Sequence, residues 1–318
     1  MKMTMKDLAN ICNISVSTVS KAFSEADDVS AETRELIFSV ARENGCFDKF
    51  FKGKYHKKII AVICPEMVSD YYMKYVHIIK ELIEKDDSIQ VVSADDFSAL
   101  KQAELIEYYS GYLKVDGILV LGMNSQLKKG ITTPIVAILH SKDNTVDSVR
   151  TSIDRAMNEA VILLNNLGKG NIAFISEEKT STKANVYKTA MTAIGKEPII
   201  INADMRFEKA GEDGVKKLLK SGKKFNSLIC AYDQIAFGAI KQLKREGLRV
   251  PEDVAVVGMD NIDSTNYAET SLTSVDGNPY ETCMIAWDLL KKKIKNPYYK
   301  SQQTITLEAK LIVRESTK

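Results

Sequence analysis

The sequence lacks the marks of several protein classes. No apolar run reaches the roughly 18 to 20 residues that a membrane span needs. The N-terminus has neither the apolar stretch nor the small-residue cleavage site of a signal peptide. We therefore expect a cytoplasmic protein without a membrane partner. The five cysteines are scattered with no C-x-x-C pair, so neither a disulfide framework nor a zinc site is indicated.

Motifs of catalysis are also missing. There is no G-x-G-x-x-G, no Walker loop, no G-x-S-x-G nucleophile elbow and no histidine spacing that suits a metal. The chain has only three histidines, His56, His77 and His140, which leaves little acid–base chemistry. We expect a protein that is not an enzyme and that has no catalytic residue, metal or cofactor.

The length and composition of the chain indicate a globular protein of more than one domain. The chain has 318 residues, of which 45% are hydrophobic and 27% charged, enough for two or three domains. A net charge of +2 says nothing by itself about nucleic acid. The lysines are concentrated, however, because residues 49–58 hold five lysines and a histidine without an acid. We interpret residues 46–58 as a lysine-rich hinge, which could also be a plain solvated linker.

Capping signals divide residues 1–45 into three short helices without a strand. Thr4, followed three residues later by Asp7, resembles a capping box and begins a helix over about Met5 to Cys12. Ser15 and Ser30 are placed to cap a second and a third helix. Three short helices in this order predict a helix-turn-helix domain.

The second helix has the composition expected of a DNA-reading helix. Four hydroxyl residues and Lys21 surround the apolar residues Val19 and Ala22, which form the predicted buried face. A helix that enters the major groove presents a polar outer face in this way. Base edges would be reached by Val16, Ser17 and Lys21, with valine touching a thymine methyl group and lysine donating to guanine. A serine-rich surface helix would show the same periodicity.

After the lysine-rich segment, apolar runs alternate with amphipathic helices. Such runs suit strands buried on both faces of a parallel sheet. The candidate strands are Ile59 to Ile63, Ile89 to Val92, Gly117 to Leu121, Ile135 to Leu139, Ile172 to Ile175, Ile199 to Ile201, Ser227 to Ala231 and Val254 to Val257. This pattern predicts an α/β core of two doubly wound lobes with a ligand cleft between them. We place lobe one at about 59–147 and 277–303, and lobe two at about 148–276 and 304–318.

Six segments resemble the lactose-repressor (LacI/GalR) family. Three resemble its DNA-binding domain, at residues 4–9, 14–21 and 29–34. Three resemble its regulatory core, at residues 231–239, 247–260 and 272–275. The resemblance covers essentially the whole chain. It implies an N-terminal three-helix helix-turn-helix domain followed by a periplasmic-binding-protein-like core of two doubly wound parallel sheets.

The resemblance also implies a function. Such proteins are homodimers, or dimers of dimers, that bind a near-palindromic operator in duplex DNA, and a small ligand between the lobes changes their DNA affinity. We therefore expect a repressor of carbohydrate or related metabolic genes. The expected DNA-binding residues are Thr4, Met5, Lys6, Ser15, Val16, Ser17, Thr18, Ser20, Lys21, Ser30 and Thr33.

The hinge departs from the family. Relatives carry a Pro-Asn pair and a helix whose leucine wedges into the minor groove, whereas residues 46–54 read CFDKFFKGK. No equivalent arginine or leucine is present. Phe50 or Phe51 could serve as the wedge or could pack against the core, and we favour packing. The resemblance therefore does not carry minor-groove bending over to this chain.

The matched positions imply an effector site formed by Tyr72, Lys183, Arg206, Tyr232 and Asp260. Asp260 stands where the family has its effector-binding aspartate, Lys183 replaces an arginine, and Tyr232 replaces an asparagine. Many relatives respond to sugars or nucleobases. The two cations, with His140 near the same cleft, would suit an anionic or phosphorylated ligand, although surface cations without a ligand are common.

Three other functions compete with this interpretation. A sugar-binding protein of the periplasmic type shares the two-lobed core, but the helix-turn-helix argues against it. An enzyme is opposed by the missing motifs. A DNA-binding regulator controlled by a protein partner, or without any ligand response, stays open because the pocket residues are altered.

Overall fold

The computed structural model describes residues 3–24, 26, 28–51, 57–296 and 301–318. The chain forms two compact units, one of residues 1–58 and one of residues 59–318. The α/β core thus begins at the residue where the sequence predicts its first strand. No helix among the described residues has the length and apolar character to cross a membrane.

The first unit is helical. Its described part contains α1 (Met5–Cys12), α2 (Val16–Phe23), α3 (Ala31–Glu43) and the short α4 (Phe47–Phe50). The predicted caps are confirmed. The hydroxyls of Thr4, Ser15 and Ser30 each accept a hydrogen bond from the backbone N–H three residues ahead, at 3.0 to 3.2 Å. The carboxylate of Asp7 accepts the Thr4 N–H at 2.8 Å, which completes the capping box.

The first three helices enclose a small apolar core. Its fully buried members are Leu8, Val19, Ala22, Ile37 and Ala41. Two of these, Val19 and Ala22, are the residues that the sequence assigns to the inner face of α2. The opposite face of α2 is consequently left to solvent.

Helix α4 and the residue after it extend this core with aromatic rings. Phe47 stacks on Phe51 with 4.9 Å between ring centroids, and Phe50 packs 5.8 Å from Phe23. The packing interpretation of Phe50 and Phe51 is therefore confirmed. Residues 46–51 belong to the folded domain and not to a linker, because their rings are partly buried against it.

The second unit consists of two lobes. Lobe one contains β1 (Ile59–Cys64), α5 (Asp70–Lys85), β2 (Ile89–Ala94), α6 (Ala99–Glu107), a π-helical turn (Tyr108–Tyr112), β3 (Gly117–Met123), β4 (Ile135–Ser141) and β5 (Asp147–Ser152). It also contains α11 (Pro279–Lys295) and β11 (Thr304–Glu308), to which the chain returns later. Its sheet has the order β2-β1-β3-β4-β5-β11, and all its strands are parallel.

Lobe two repeats this architecture. It contains α7 (Asp154–Asn166), β6 (Ile172–Ser176), α8 (Ser181–Ala193), β7 (Ile199–Asn202), α9 (Phe207–Lys220), β8 (Ser227–Cys230), α10 (Asp233–Arg245), β9 (Ala255–Met259), β10 (Thr273–Asp276) and β12 (Lys310–Ile312). Short 3-10 turns lie at Glu178–Thr180, Asp263–Asn266 and Glu315–Thr317. The sheet order is β7-β6-β8-β9-β10-β12, and only the β10–β12 pair is antiparallel.

All eight candidate strands are present, but two further strands correct the predicted lobe boundaries. In β5 and β11, Ser148 pairs with Thr304 in a parallel ladder, so both strands extend the sheet of lobe one. Lobe one therefore spans 59–152 and 277–308. The sequence pattern missed both strands because polar residues interrupt them, and β11 alternates exposed and half-buried positions at the edge of the sheet.

Candidate functional sites: helix α2 and the interlobe cleft

Helix α2 presents the polar surface that the sequence predicts. Val16, Ser17, Ser20 and Lys21 are exposed, and Val16 is 45% accessible although it is apolar. The Ser15 hydroxyl lies 2.7 Å from that of Ser17, so two hydroxyls at the start of the helix form one cluster. Backbone amides and hydroxyls at a helix N-terminus are common phosphate ligands.

Lys21 has a partner within its own unit. Its ammonium group forms an ion pair with the carboxylate of Asp28, on the turn that follows α2. The hydrogen bond from Lys21 lowers the pKa of Asp28 below its usual range. Both side chains are more than half exposed. A DNA acceptor would therefore have to replace Asp28 as the partner of Lys21.

The other expected DNA-binding residues lie on all three helices of the domain. Among them, Thr4, Lys6 and Ser30 are exposed, whereas Met5, Thr18 and Thr33 are half-buried. The Ser30 hydroxyl also donates to the Thr33 hydroxyl at 2.9 Å. No contact with DNA is tested by this structure, so these residues stay predictions.

In the second unit, the expected effector residues follow successive strand ends. Lys183, Arg206, Tyr232 and Asp260 lie beyond β6, β7, β8 and β9 of lobe two, and Tyr72 lies in α5 of lobe one. The carboxyl ends of neighbouring parallel strands meet at one edge of a sheet, which is where such folds bind ligands. The resemblance thus named four residues that lie at one edge of the lobe-two sheet.

Lys183 and Asp260 form the centre of this edge. The Lys183 ammonium donates to Asp260 Oδ1 at 2.9 Å and to the Ala231 carbonyl at 2.8 Å. It also lies 5.8 Å from the centroid of the Tyr71 ring, which belongs to lobe one. Asp260 has a φ of +95°, an unusual backbone conformation that recurs at functional sites. The cation and the carboxylate thus neutralise each other at the interlobe surface.

Arg206 makes a second pair that the sequence did not reveal. Its two terminal nitrogens donate to the two carboxylate oxygens of Glu66 in lobe one, both at 2.8 Å. These hydrogen bonds raise the pKa of Arg206 above its usual value. Glu66 lies in the loop that leaves β1, two residues after the strand, so an acid near a strand end was the available signal. Its partner Arg206 lies 140 positions away, and no local sequence pattern predicts that pairing.

The two tyrosines, Tyr72 and Tyr232, are half-buried. The Tyr232 hydroxyl accepts the Phe207 N–H at 3.0 Å, and burial raises the pKa of Tyr232 to about 12. Burial also raises the pKa of Tyr72, and the carboxylates of Asp260 and Glu66 raise it further. The Tyr72 hydroxyl therefore lies in a negative electrostatic environment.

The structure does not bring His140 into this group. His140 is the penultimate residue of β4, and its Nε2 lies 3.4 Å from Asn124 Oδ1 within lobe one. No contact in the described parts of the chain joins it to Lys183 or Arg206. Desolvation by its neighbours and the charge of Lys142 lower its pKa below the usual value, which favours the neutral ring at pH 7. Among the described residues, no cluster of three His, Cys, Asp or Glu could hold a metal ion.

Comparison with known proteins matches both units. Residues 4–45 match the sequence model "Bacterial regulatory proteins, lacI family", and residues 161–317 match "Periplasmic binding protein-like domain". Catabolite control protein A of Priestia megaterium is 27% identical, with 100% of both chains covered. The HTH-type transcriptional regulator RegA of Clostridium saccharobutylicum is 26% identical, again over 100% of both chains.

Solved structures share the fold. A LacI family regulator from Silicibacter pomeroyi superposes with a TM-score of 0.81 at 20% identity, covering 99% of each chain. The lac repressor dimer bound to operator gives 0.78 at 20% identity, covering 100% of this chain and 99% of that one. A LacI family regulator from Enterococcus faecium with bound ribose gives 0.70 at 20% identity, covering 81% and 98%. The fold and the two family matches together show a LacI-family helix-turn-helix domain joined to a periplasmic-binding-protein-like core, the arrangement found in the transcriptional regulators that this chain resembles.

Proposed function

We propose that the protein is a cytoplasmic, homodimeric repressor of carbohydrate or related metabolic genes. The observation that carries the DNA-binding part is the exposed face of α2, where Val16, Ser17 and Lys21 project beside a hydroxyl-capped helix start. In a dimer, two copies of α2 would read the two halves of a near-palindromic operator. A dimer of dimers would read two such operators.

Within the operator, side chains divide into two roles. Lys21 would donate to guanine acceptors and Val16 would contact a thymine methyl group, which specifies sequence. The hydroxyls of Ser15, Ser17 and Thr18 would bind phosphates, which positions the helix without reading bases. Operator affinity should therefore fall steeply with salt, because bound phosphates release counterions.

The cleft at Lys183 and Asp260 would hold the effector. Both cations expected there already have an acidic partner, Lys183 with Asp260 and Arg206 with Glu66. A phosphorylated ligand would have to compete with these carboxylates, whereas hydroxyl groups can donate to Asp260 and accept from Lys183 together. The site therefore favours an uncharged, hydroxylated ligand such as a sugar over an anion. Relatives of the same fold have been solved with ribose and with cellobiose.

The effector would control DNA affinity by changing how the two lobes are arranged relative to each other. A ligand that binds one arrangement better shifts the population toward it, and this shift would change the spacing of the two α2 helices in the dimer. The alternative, a regulator driven by a protein partner or without ligand response, draws support from the same ion pairs, since the cations need no ligand for neutralisation.

The experiment begins with a genome-wide footprint of the bound protein to define the operator. Lys21→Ala should then lower operator affinity by about 1 to 3 kcal/mol and relax preference at one position. Lys49→Ala, outside α2, is the matched control because it removes a lysine of the same domain without touching the helix. An unchanged operator preference for Lys21→Ala, or an affinity that does not respond to salt, would refute the assigned surface.

The ligand part is tested with a matched pair of probes. Ribose and ribose 5-phosphate differ by one phosphate, so thermal shifts with each measure the charge preference of the cleft. Asp260→Ala should abolish any shift and any ligand effect on operator binding while leaving DNA binding intact. A stronger response to the phosphate, or a normal response of Asp260→Ala, would contradict the proposed cleft.

A further inference from the structure

The ion pair of Glu66 and Arg206 links the two lobes. Its two hydrogen bonds of 2.8 Å form a bidentate carboxylate–guanidinium contact, the most directional ion pair available to a protein. The Glu66 side chain is only 11% exposed and that of Arg206 is 35% exposed. The pair is therefore partly shielded from water, unlike the exposed ion pairs elsewhere on the surface.

Aromatic rings confine the guanidinium group. The Cζ atom of Arg206 lies 4.6 Å from the centroid of Phe207, its neighbour in lobe two, and 5.6 Å from that of Phe97 in lobe one. The ammonium group of Lys179, also in lobe two, lies 3.4 Å from the Phe97 centroid. Two cations of lobe two thus lie against the Phe97 ring of lobe one, and their attraction to the ring favours contact between the lobes.

The loop that carries Phe97 is built to present this ring. Asp96 and Phe97 have φ values of +55° and +61°, which non-glycine residues rarely adopt. The Asp95 carboxylate accepts the Phe97 N–H at 2.9 Å, and the fully buried Gln102 donates to the same carboxylate at 2.5 Å. Strain of this kind persists only where surrounding bonds hold it, and it concentrates at functional positions.

We propose that Glu66, Phe97, Lys179 and Arg206 form an interlobe latch that holds the two lobes closed without an effector. These contacts join the two lobes directly through their side chains. An effector that changes lobe arrangement would then act by releasing the latch. The proposal concerns the lobes alone and stands whether or not the ligand of the cleft is a sugar.

The test measures the distance between the lobes in the full chain. Spin labels are placed on two exposed residues, Asn144 of lobe one and Asn185 of lobe two, each replaced by cysteine. Cys12, the half-buried native cysteine, is replaced by serine, and the four other cysteines are buried. Labelled chains are mixed with excess unlabelled protein so that pulsed electron resonance reports distances within one chain.

The latch predicts one short distance for the parent protein without ligand. Glu66→Gln and Arg206→Gln should each lower the ratio of closed to open molecules about tenfold or more, because each leaves a shielded charge without its partner. The double variant should lower the ratio of closed to open molecules by less than the product of the two single effects, since no charge is then left unpaired. Sodium chloride at 1 M should act in the same direction as the single variants.

Arg249→Gln is the matched control. Arg249 forms a bidentate ion pair with Asp253, but both residues belong to lobe two, so its removal should leave the distance unchanged. Circular dichroism of every variant separates lobe opening from loss of fold. The proposal is overturned if the parent is open without ligand, if the Glu66 and Arg206 variants stay as closed as Arg249→Gln, or if the single effects simply add.

Discussion

Helices α9 and α10 approach each other so closely that one added methyl group should disturb the effector cleft. Gly211 of α9 and Gly238 of α10 lie at their contact. A Cβ atom built on Gly238 would overlap the carbonyl oxygen of Glu208 and lie 2.6 Å from its carbonyl carbon, whereas ordinary contacts begin at 3.4 Å. The obstacle is backbone on both sides, so no side chain can rotate away. Gly238→Ala therefore has to push the two helices apart.

The cost follows from this separation. Overpacking in a core usually costs about 1 to 3 kcal/mol, and a clash with backbone belongs at the upper end. About 3 kcal/mol corresponds to a fall of roughly 6 to 12 °C in the melting temperature of a core of this size. The function should suffer too, because Arg206 and Tyr232 directly precede the two helices and the Phe207 N–H bonds to the Tyr232 hydroxyl.

Calorimetry of the full chain measures the effect. Gly111→Ala is the control, because a Cβ there meets nothing within 4 Å and should change stability by no more than about 1 kcal/mol. The reasoning is refuted if Gly238→Ala melts within 2 °C of the parent protein, a margin that we set at roughly the smallest shift expected from 1 kcal/mol. A destabilised variant with an unchanged ligand response would refute only the link to the cleft.

Two smaller perturbations test other parts of the molecule. Thr4→Ala removes the hydroxyl that accepts the Asp7 N–H and should destabilise the DNA-binding domain by about 1 kcal/mol in urea unfolding; an unchanged midpoint would contradict the cap. The hydrogen bond from Lys291 lowers the pKa of Asp86, so this carboxylate stabilises the fold above the unfolded pKa of about 4 and loses that effect as pH falls through the folded value. Asp86→Asn should flatten this acid dependence, read from fluorescence of Trp287, which donates to Asp86 at 2.7 Å; an unaltered profile would exclude the role.

Much of the molecule could be predicted because its signals are local. A cap joins residues three positions apart, as between Thr4 and Asp7, and apolar runs such as Ile59 to Ile63 mark buried strands without knowledge of their neighbours. The positions after strands were also informative, since parallel strands end at one edge. Lys183 and Asp260 could be named together because their positions match the family's effector site, and the structure places them 2.9 Å apart.

What the sequence by itself determined is the kind of protein: a helix-turn-helix with its inner and outer faces, and an α/β core of alternating strands and helices. Only the tertiary structure decided which lobe receives β5 and β11, because polar residues weaken the apolar pattern of both strands and their ladder joins residues 156 positions apart. It also decided that the rings of residues 47–51 close the helical domain, and that Arg206 belongs to Glu66. Such pairings depend on where the folded chain places distant segments, and no periodicity along the chain encodes that placement.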